Sequence, residues 1–411
     1  MANNKEKNIF KRIVFDEIAQ YFLDDGIIVF HGARQVGKTY LMLYVENYLK
    51  AKGEATYFID LEDQRNLEIF DAGYQNFLAL LSDQFDLELF SHKKKLFVFI
   101  DEIQYLKNPS SFMKLIADHH KEIKLIVSGS SSFDIKSKFK NSLVGRTINF
   151  EIFPLSFWEF LTFKNYHAIP GRVFTSIKIG ELSELFKEYA LGGGYPEIVL
   201  TKTSEKKEKK LAQIIDTYLR KDIKDLAEIK EIDKFNGLLK ILAAQSGNLL
   251  NIAELANTAG LSKQTVERYL FLLENTYIIK LVRPYSRNIR SELFKTPKIY
   301  FYDTGLMQLL WLKSLQTEII GNVFETSIFS ELVKKYGREN INYWRTKDKK
   351  EIDFILKIKN DILPIEAKVN FAQFNKTAVN YFISHYKLKH YKIVGLKGVP
   401  KNEHYIYPWD L

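Results

Sequence analysis

Eight residues near the amino terminus have the types and the spacing of a loop that binds phosphate. Residues 32–39 read GARQVGKT and fit the pattern G-x-x-x-x-G-K-[ST] at every fixed position. Glycines let the backbone wrap closely around phosphate oxygens, and the helix that follows presents the positive end of its dipole. Lys38 is predicted to contact the β- and γ-phosphates, and the Thr39 hydroxyl to ligate Mg²⁺. The predicted nucleotide contacts are Gly32, Ala33, Arg34, Gln35, Val36, Gly37, Lys38, Thr39 and Tyr40.

Two adjacent carboxylates end an apolar run further along the chain. The segment LFVFIDE places Asp101 and Glu102 at the end of a predicted strand. Asp101 is predicted to bind Mg²⁺ through water, and Glu102 to polarise the attacking water, so that the pair indicates hydrolysis as well as binding. An exposed pair of acids at a strand end is the competing interpretation.

Two later positions extend this predicted site. In the segment SGSSS, Ser128 and Ser130 are placed to reach the γ-phosphate or the lytic water as polar sensors, and a serine-rich turn is the alternative. Arg146 stands directly before the fifth predicted strand. From there it is predicted to reach the γ-phosphate of a neighbouring subunit, which would require a homo-oligomer, and a surface salt bridge is the alternative.

Acidic and basic side chains also gather near the carboxyl terminus. Residues 350–369 read KEIDFILKIKNDILPIEAKV, in which Glu366 and Lys368 share one face of a strand, Asp353 lies on the strand before it, and Glu325 lies on a preceding helix. Carboxylates of this kind bind Mg²⁺, the metal supplies a hydroxide, and Lys368 would orient the water or stabilise developing charge. The order Glu, Asp, Glu-x-Lys resembles the PD-(D/E)XK nuclease core, which implies a nuclease-like site, and a charged surface hairpin is the alternative.

A pair of predicted helices precedes this region. Residues 251–282 have the pattern of a winged helix-turn-helix, with Gly260 in the turn and Ser262 as the cap of the second helix. That helix would expose Lys263, Gln264 and Arg268 toward DNA phosphates or bases. A winged helix that makes only protein contacts is the alternative.

These groups require elements that position them. Short apolar runs alternate with helical patterns in the first part of the chain, which predicts an α/β fold of the P-loop NTPase class, a parallel sheet with helices on both faces. The predicted domains are an ATPase core at 1–154, a helical lid or linker at 155–234, the winged helix at 235–290, a connector at 291–320, and a small α/β nuclease-like domain at 321–411.

Composition narrows the function classes. The net charge of +10 is compatible with a polyanionic partner such as DNA. The chain contains no cysteine, which excludes disulfides, zinc–thiolate sites and cysteine nucleophiles. Because no signal peptide and no run long enough to cross a bilayer is evident, we expect a cytoplasmic protein without a membrane partner.

The P-loop, the apolar strand ending in Asp101 and Glu102, the polar strand with Ser128 and the arginine before the fifth strand together resemble the AAA+ ATPases. More narrowly, IFPLSFWEF at 152–160, GGGYPE at 192–197 and YLRKDI at 218–223 resemble a large prokaryotic family. In that family an AAA+ module precedes a C-terminal domain labelled as of unknown function with a nuclease-like tail. The resemblance implies ATP binding and ATP hydrolysis.

The leading hypothesis is therefore an AAA+ ATPase that binds ATP and Mg²⁺ and uses hydrolysis to control a DNA-binding winged helix and a nuclease-like C-terminal domain. One alternative is an ATP-dependent regulatory or signalling switch with protein partners and no DNA. A second alternative is an ATP-gated, Mg²⁺-dependent DNA nuclease.

Overall fold

The computed structural model describes residues 9–129, 143, 145–217, 231–286, 296–359 and 361–411. The predicted sensor Ser130 and the segment 218–223 lie outside these residues. The chain divides into two units, Met1–Phe153 and Pro154–Leu411. In the part that the structure describes, no helix is both long enough and apolar enough to cross a membrane.

A five-stranded parallel sheet organises the first unit. Its strands are β1 Ile27–His31, β2 Thr56–Asp60, β3 Leu96–Asp101, β4 Ile123–Gly129 and β5 Thr147–Glu151. They follow the order β2-β3-β4-β1-β5, and the register places Ile28 of β1 opposite Ile126 of β4 and Ile148 of β5. The helices are α1 Phe15–Ile18, α2 Lys38–Ala51, α3 Gln64–Asp71, α4 Tyr74–Ser82 and α5 Pro109–His119.

Helices cover both faces of this sheet, and β1, β3 and β4 are accordingly buried along their whole length. On one face, Phe70, Phe77 and Phe112 of α3, α4 and α5 pack into a continuous core. On the other face, Tyr48 of α2 packs near Phe22, which contacts Phe97 of β3 edge to face. The predicted α/β fold with a parallel sheet is confirmed.

The second unit contains most of the helices that the structure describes, and helices alone form its first part. They are α6 Phe157–Phe163, α7 Ser176–Gly192, α8 Pro196–Val199, α9 Ser204–Ile214, α10 Ile232–Ala244, α11 Ile252–Ala259, α12 Lys263–Asn275, α13 Thr304–Leu312, α14 Gly321–Tyr336 and α15 Lys376–Tyr386. Single 3₁₀ turns in the two units occupy Ala19–Tyr21, Leu87–Leu89, Ile103–Tyr105, Arg338–Asn340, Phe371–Gln373 and Pro408–Asp410.

The strands described in the second unit form two sheets. The strands are β6 Ile279–Val282, β7 Lys298–Phe301, β8 Ile341–Arg345, β9 Glu351–Ile358, β10 Asp361–Asn370, β11 Lys392–Lys397 and β12 Tyr405–Ile406. Strands β6 and β7 form an antiparallel pair. The other five follow the order β12-β11-β10-β9-β8, with antiparallel pairing from β8 to β10 and parallel pairing from β10 to β12.

The glycine-rich segment GGGYPE has a packing role in this unit. The Gly194 N–H donates to Asp303 Oδ2 at 2.7 Å, and Asp303 Oδ1 accepts from the Leu306 N–H at the start of α13. One buried carboxylate therefore caps a helix and fixes the glycine turn, and burial raises its pKa. A Cβ on Gly193 would collide with the Asp303 carboxylate, and one on Gly305 with the carbonyl oxygen of Gly192, so glycine is needed where the two segments meet.

Candidate nucleotide-binding site

The loop between β1 and α2 depends on two of its glycines. A Cβ on Gly32 would lie 2.1 Å from the carbonyl oxygen of Ile152, because the chain after β5 runs directly against the loop. Gly37 has a left-handed backbone, with φ of 93°, and α2 begins at the next residue. Only glycine meets both demands without strain. The loop therefore lies at the carboxyl edge of the sheet, with the first turn of α2 at its end.

Lys38 folds back across this loop. Its side chain is buried, and Nζ donates to the carbonyl oxygens of Gly32 at 3.2 Å and of Ala33 at 2.8 Å. Burial lowers the pKa of Lys38 to about 8, although the nearby carboxylates of Glu102 and Asp101 raise it. A phosphate group beside this amine would favour its charged form.

Thr39 and Asp101, the two predicted magnesium ligands, are in direct contact. The Thr39 hydroxyl donates to Asp101 Oδ2 at 2.6 Å. The buried Ser128 hydroxyl donates to Asp101 Oδ1, so the loop, β3 and β4 meet at this carboxylate. Hydroxyl and carboxylate oxygens are the protein ligands that Mg²⁺ takes beside phosphate and water. The donor set fits a magnesium–nucleotide complex.

Glu102 is held in an uncommon conformation next to these groups. Its backbone is left-handed, with φ of 55° and ψ of 49°, and its N–H donates to Ser128 Oγ at 3.2 Å. The Gln104 side-chain amide donates to the Glu102 carboxylate. Burial raises the pKa of Glu102, while Lys38 and Gln104 lower it. Gln104 was not predicted, because only the 3₁₀ turn after β3 brings it back to Glu102.

Arg12 holds the phosphate-binding loop through hydrogen bonds and belongs to none of the predicted motifs. Its guanidinium is buried and donates to the carbonyl oxygens of Val36 and Phe153, both at 2.9 Å. Val36 belongs to the phosphate-binding loop, and Phe153 follows the last strand of the sheet. No sequence pattern indicates this residue, because its partners are 24 and 141 positions away.

Substituting Arg12 should destabilise the first unit. In Arg12→Met the carbonyls of Val36 and Phe153 lose a charged donor, so we expect the free energy of unfolding to fall by about 3 kcal/mol. Urea unfolding of the full chain measures the change. Lys11→Met is the matched control, since Lys11 is partly exposed and pairs with Asp16 at the surface, and its effect should stay below about 0.5 kcal/mol. Equal losses in the two variants would contradict a supporting role for Arg12.

Arg146 and Tyr40 were also predicted to belong to the nucleotide site. Arg146 forms a two-point salt bridge with Asp118 of α5, with Nε–Oδ1 at 2.6 Å and Nη2–Oδ2 at 3.2 Å. That pairing within the chain supports the surface salt bridge that the sequence left open, and action on a neighbour's nucleotide stays a prediction. Tyr40 is on the first turn of α2 with an exposed side chain.

The second unit brings together the four predicted nuclease-like residues. Lys368 Nζ lies 2.8 Å from Asp353 Oδ2 and 2.7 Å from Glu366 Oε2, and the three side chains project from β9 and β10. Burial, followed by the neighbouring Asp353, raises the pKa of Glu366 to about 8. Glu325 of α14 contacts a different lysine, Lys298 of β7, at 3.2 Å. Across the described ranges, no group of three or more acidic, histidine or cysteine side chains is arranged to hold a metal ion.

The predicted DNA-facing residues lie on α12. Asn251 caps α11, Gly260 has a left-handed backbone, and the Ser262 hydroxyl accepts from the Thr265 N–H to begin α12. Val266, Tyr269 and Leu270 face the core. Lys263, Gln264, Glu267 and Arg268 are exposed on the opposite side of the helix.

The order β2-β3-β4-β1-β5, with a phosphate-binding loop after β1 and acids after β3, defines a P-loop module of the AAA+ fold. In agreement, residues 24–161 match the family described as AAA domain. Residues 183–317 and 320–407 match two families that are each described as a domain of unknown function, DUF8612 and DUF4143.

Among curated relatives, an uncharacterized protein of Methanocaldococcus jannaschii is 28% identical over 352 residues, covering 84% of this chain and 75% of the relative. An uncharacterized protein of Haemophilus influenzae is 26% identical over 358 residues, covering 85% and 84%. Among solved structures, AMPPCP-bound DnaA from Aquifex aeolicus aligns at 17% identity, with a TM-score of 0.28 over 64% of this chain and 87% of that chain. PCH-2 of C. elegans aligns at 15% identity, with a TM-score of 0.29 over 64% and 71%.

Proposed function

We propose that the protein is an ATPase of the AAA+ class that binds ATP with Mg²⁺, hydrolyses it, and thereby controls a DNA-binding winged helix and a nuclease-like region in its second unit. The observation that carries the ATPase proposal is the meeting of Lys38, Thr39, Asp101 and Ser128 at one edge of the sheet, with Glu102 beside them. These are the groups that phosphoryl transfer requires, because its catalysis rests on positioning and on charge stabilisation.

Each side chain has a distinct role in this proposal. Lys38 would exchange its bonds to the loop carbonyls for bonds to phosphate oxygens, which carry full charge and accept more strongly. Thr39 and Asp101 would hold Mg²⁺, which when bound neutralises charge on the phosphates. Glu102 would accept a proton from the attacking water, and burial, which raises its pKa, makes the carboxylate a stronger base.

The test is nucleotide binding and steady-state hydrolysis by the full chain with Mg²⁺, in the presence and absence of DNA. A chain that binds ATP and turns it over supports the ATPase proposal, and stimulation by DNA supports the coupling to the second unit. Failure to bind ATP at millimolar concentration would falsify both.

The DNA-binding part of the proposal is supported by the exposed cationic side of α12. We expect the double variant Lys263→Ala/Arg268→Ala to bind DNA at least about tenfold more weakly, and the slope of log affinity against log salt to fall by about two, because two phosphate or base contacts are lost. Gel shifts over a salt series measure both quantities.

Lys234→Ala/Lys240→Ala is the matched control for this experiment. It removes the same charge from α10, where both lysines are exposed. Equal weakening in the two double variants would show that DNA binding depends on general charge attraction and not on contacts made by α12. Parental protein that binds no DNA at low salt would favour the alternative, a nucleotide-dependent switch with protein partners.

A further inference from the structure

The carboxylates of the nuclease-like region have a neighbour that the sequence did not predict. Lys298 is the first residue of β7, and its backbone pairs with Val282 of β6 and with Leu249. Its side chain crosses from this two-stranded sheet to the acids of α14 and β9. Only 3% of that side chain is exposed.

The amine of Lys298 satisfies oxygens that a metal ion would need. Its Nζ lies 2.6 Å from Glu351 Oε1 and 3.2 Å from Glu325 Oε1. The Tyr300 hydroxyl donates to the same oxygen of Glu325 at 2.5 Å, so this oxygen already accepts two donors. Lys368 pairs with Asp353 and Glu366. Every carboxylate of the predicted metal set therefore faces an ammonium group.

The net charge of the cluster also opposes the binding of a divalent cation. Three carboxylates with Lys368 alone would leave a net charge of −2 when all are ionised, which suits one divalent cation. Lys298 halves that net charge, because its other partner, Glu351, is also paired with Arg345 at 2.7 Å. It also places a buried ammonium within hydrogen-bond distance of a predicted ligand. A hard cation needs several unshared oxygen ligands, and a like charge at this range opposes its binding. With Lys298 in place, the residues do not fit Mg²⁺.

We propose that Lys298 is the resident cation of this carboxylate cluster, which binds no divalent metal while that amine is present. The cluster then acts as an ion-pair core that fastens β7, and with it the β6–β7 pair, to the sheet formed by β8 to β12. This inference is independent of ATP binding in the first unit.

The experiment measures Mn²⁺ binding to the nucleotide-free full chain by the electron paramagnetic resonance signal of free Mn²⁺. We expect the parental chain to have no Mn²⁺ site that depends on Glu366. Lys298→Met, which removes the charge and keeps a side chain of similar length, should gain one such site, measured as an additional Mn²⁺ ion bound per chain. Lys298→Met/Glu366→Gln should lose it again.

Lys280→Met is the matched control. Lys280 lies on the partner strand β6, is largely buried, and pairs with Glu274 and Glu339 at 3.2 Å, outside the cluster. It should gain no Mn²⁺ site. A gain in Lys280→Met equal to that in Lys298→Met, or no gain in a folded Lys298→Met, would overturn the proposal.

A second measurement does not depend on the folding of the Lys298 variant. The parental chain is titrated with Mn²⁺ beside Asp353→Asn and Glu366→Gln, and is incubated with DNA and Mg²⁺. Identical titrations and no cleavage support the resident lysine. A parental Mn²⁺ site that either substitution removes, or Mg²⁺-dependent cleavage that Asp353→Asn abolishes, would refute it and favour the nuclease alternative.

Discussion

Lys38→Ala is expected to weaken ATP binding by at least about 100-fold. The amine is buried beside the loop, within reach of the carbonyls of Gly32 and Ala33, where phosphate oxygens would be its stronger partners. Two charge-assisted hydrogen bonds contribute roughly 3 kcal/mol or more, and about 1.4 kcal/mol corresponds to each factor of ten in affinity. Titration calorimetry with Mg²⁺ and a non-hydrolysed ATP analogue measures the change.

Lys50→Ala provides the comparison for Lys38→Ala. Lys50 lies on the same helix, its side chain is 55% exposed, and it pairs with Glu46. Its removal should leave ATP affinity within a factor of about two, since an exposed pair contributes little. Thermal unfolding without ligand must show that Lys38→Ala is folded. A folded Lys38→Ala variant with parental affinity would show that the loop is not the ATP site.

The phosphate-binding loop and its sheet were predictable because their determinants are local. The glycines at 32 and 37, the lysine and the threonine occupy fixed spacings, and the strands before and after them are continuous apolar runs. A buried parallel strand has little choice of residue type, so the pattern identifies it. The contact between Thr39 and Asp101 then follows, because parallel strands bring their carboxyl ends to one edge.

The residues that could not be predicted act over long separations. Arg12 supports the loop through Val36 and Phe153, and Lys298 reaches Glu325 and Glu351 across two sheets. A lone arginine or lysine in a chain with 60 basic residues has no pattern around it. Its role exists only once distant elements pack together, and the energy comes from burial of the charge with its partners. The sequence therefore indicated the acids of the second unit and Lys368, but not Lys298.

The role of Gln104 also could not be predicted from the sequence, although its partner is close in the chain. Gln104 lies two positions after Glu102, but in a continuing strand their side chains would lie side by side and would not turn toward each other. The left-handed backbone of Glu102 and the 3₁₀ turn Ile103–Tyr105 bring the amide back onto the carboxylate. A non-glycine residue in the left-handed region is uncommon and is maintained only by its surroundings. Glu102 is therefore a constrained residue, which is compatible with the role of base that we propose for it.

Glu102→Gln should retain ATP and lose turnover. Glutamine has nearly the same size and keeps an oxygen that can accept from Gln104, but it cannot take a proton from water. We expect the maximal rate to fall by about 10²–10⁴-fold, the range for loss of a general base, while affinity for the ATP analogue stays parental. ATP should then remain bound and unhydrolysed, which rapid filtration with labelled nucleotide detects. Glu88→Gln, an exposed position in the same unit, controls for the loss of one negative charge.

The pH dependence separates a proton acceptor from a residue that only shapes the site. Burial raises the pKa of Glu102, so the parental rate should fall on acidification at a higher pH than that of a free glutamate. The direction of this pH dependence follows from two facts. The base works only when it is ionised, and a raised pKa means that it becomes protonated at a higher pH. That acidic limb should be absent from the residual rate of Glu102→Gln. If the variant hydrolyses ATP at the parental rate, or keeps the same limb, another group activates the water and the role given to Glu102 is wrong.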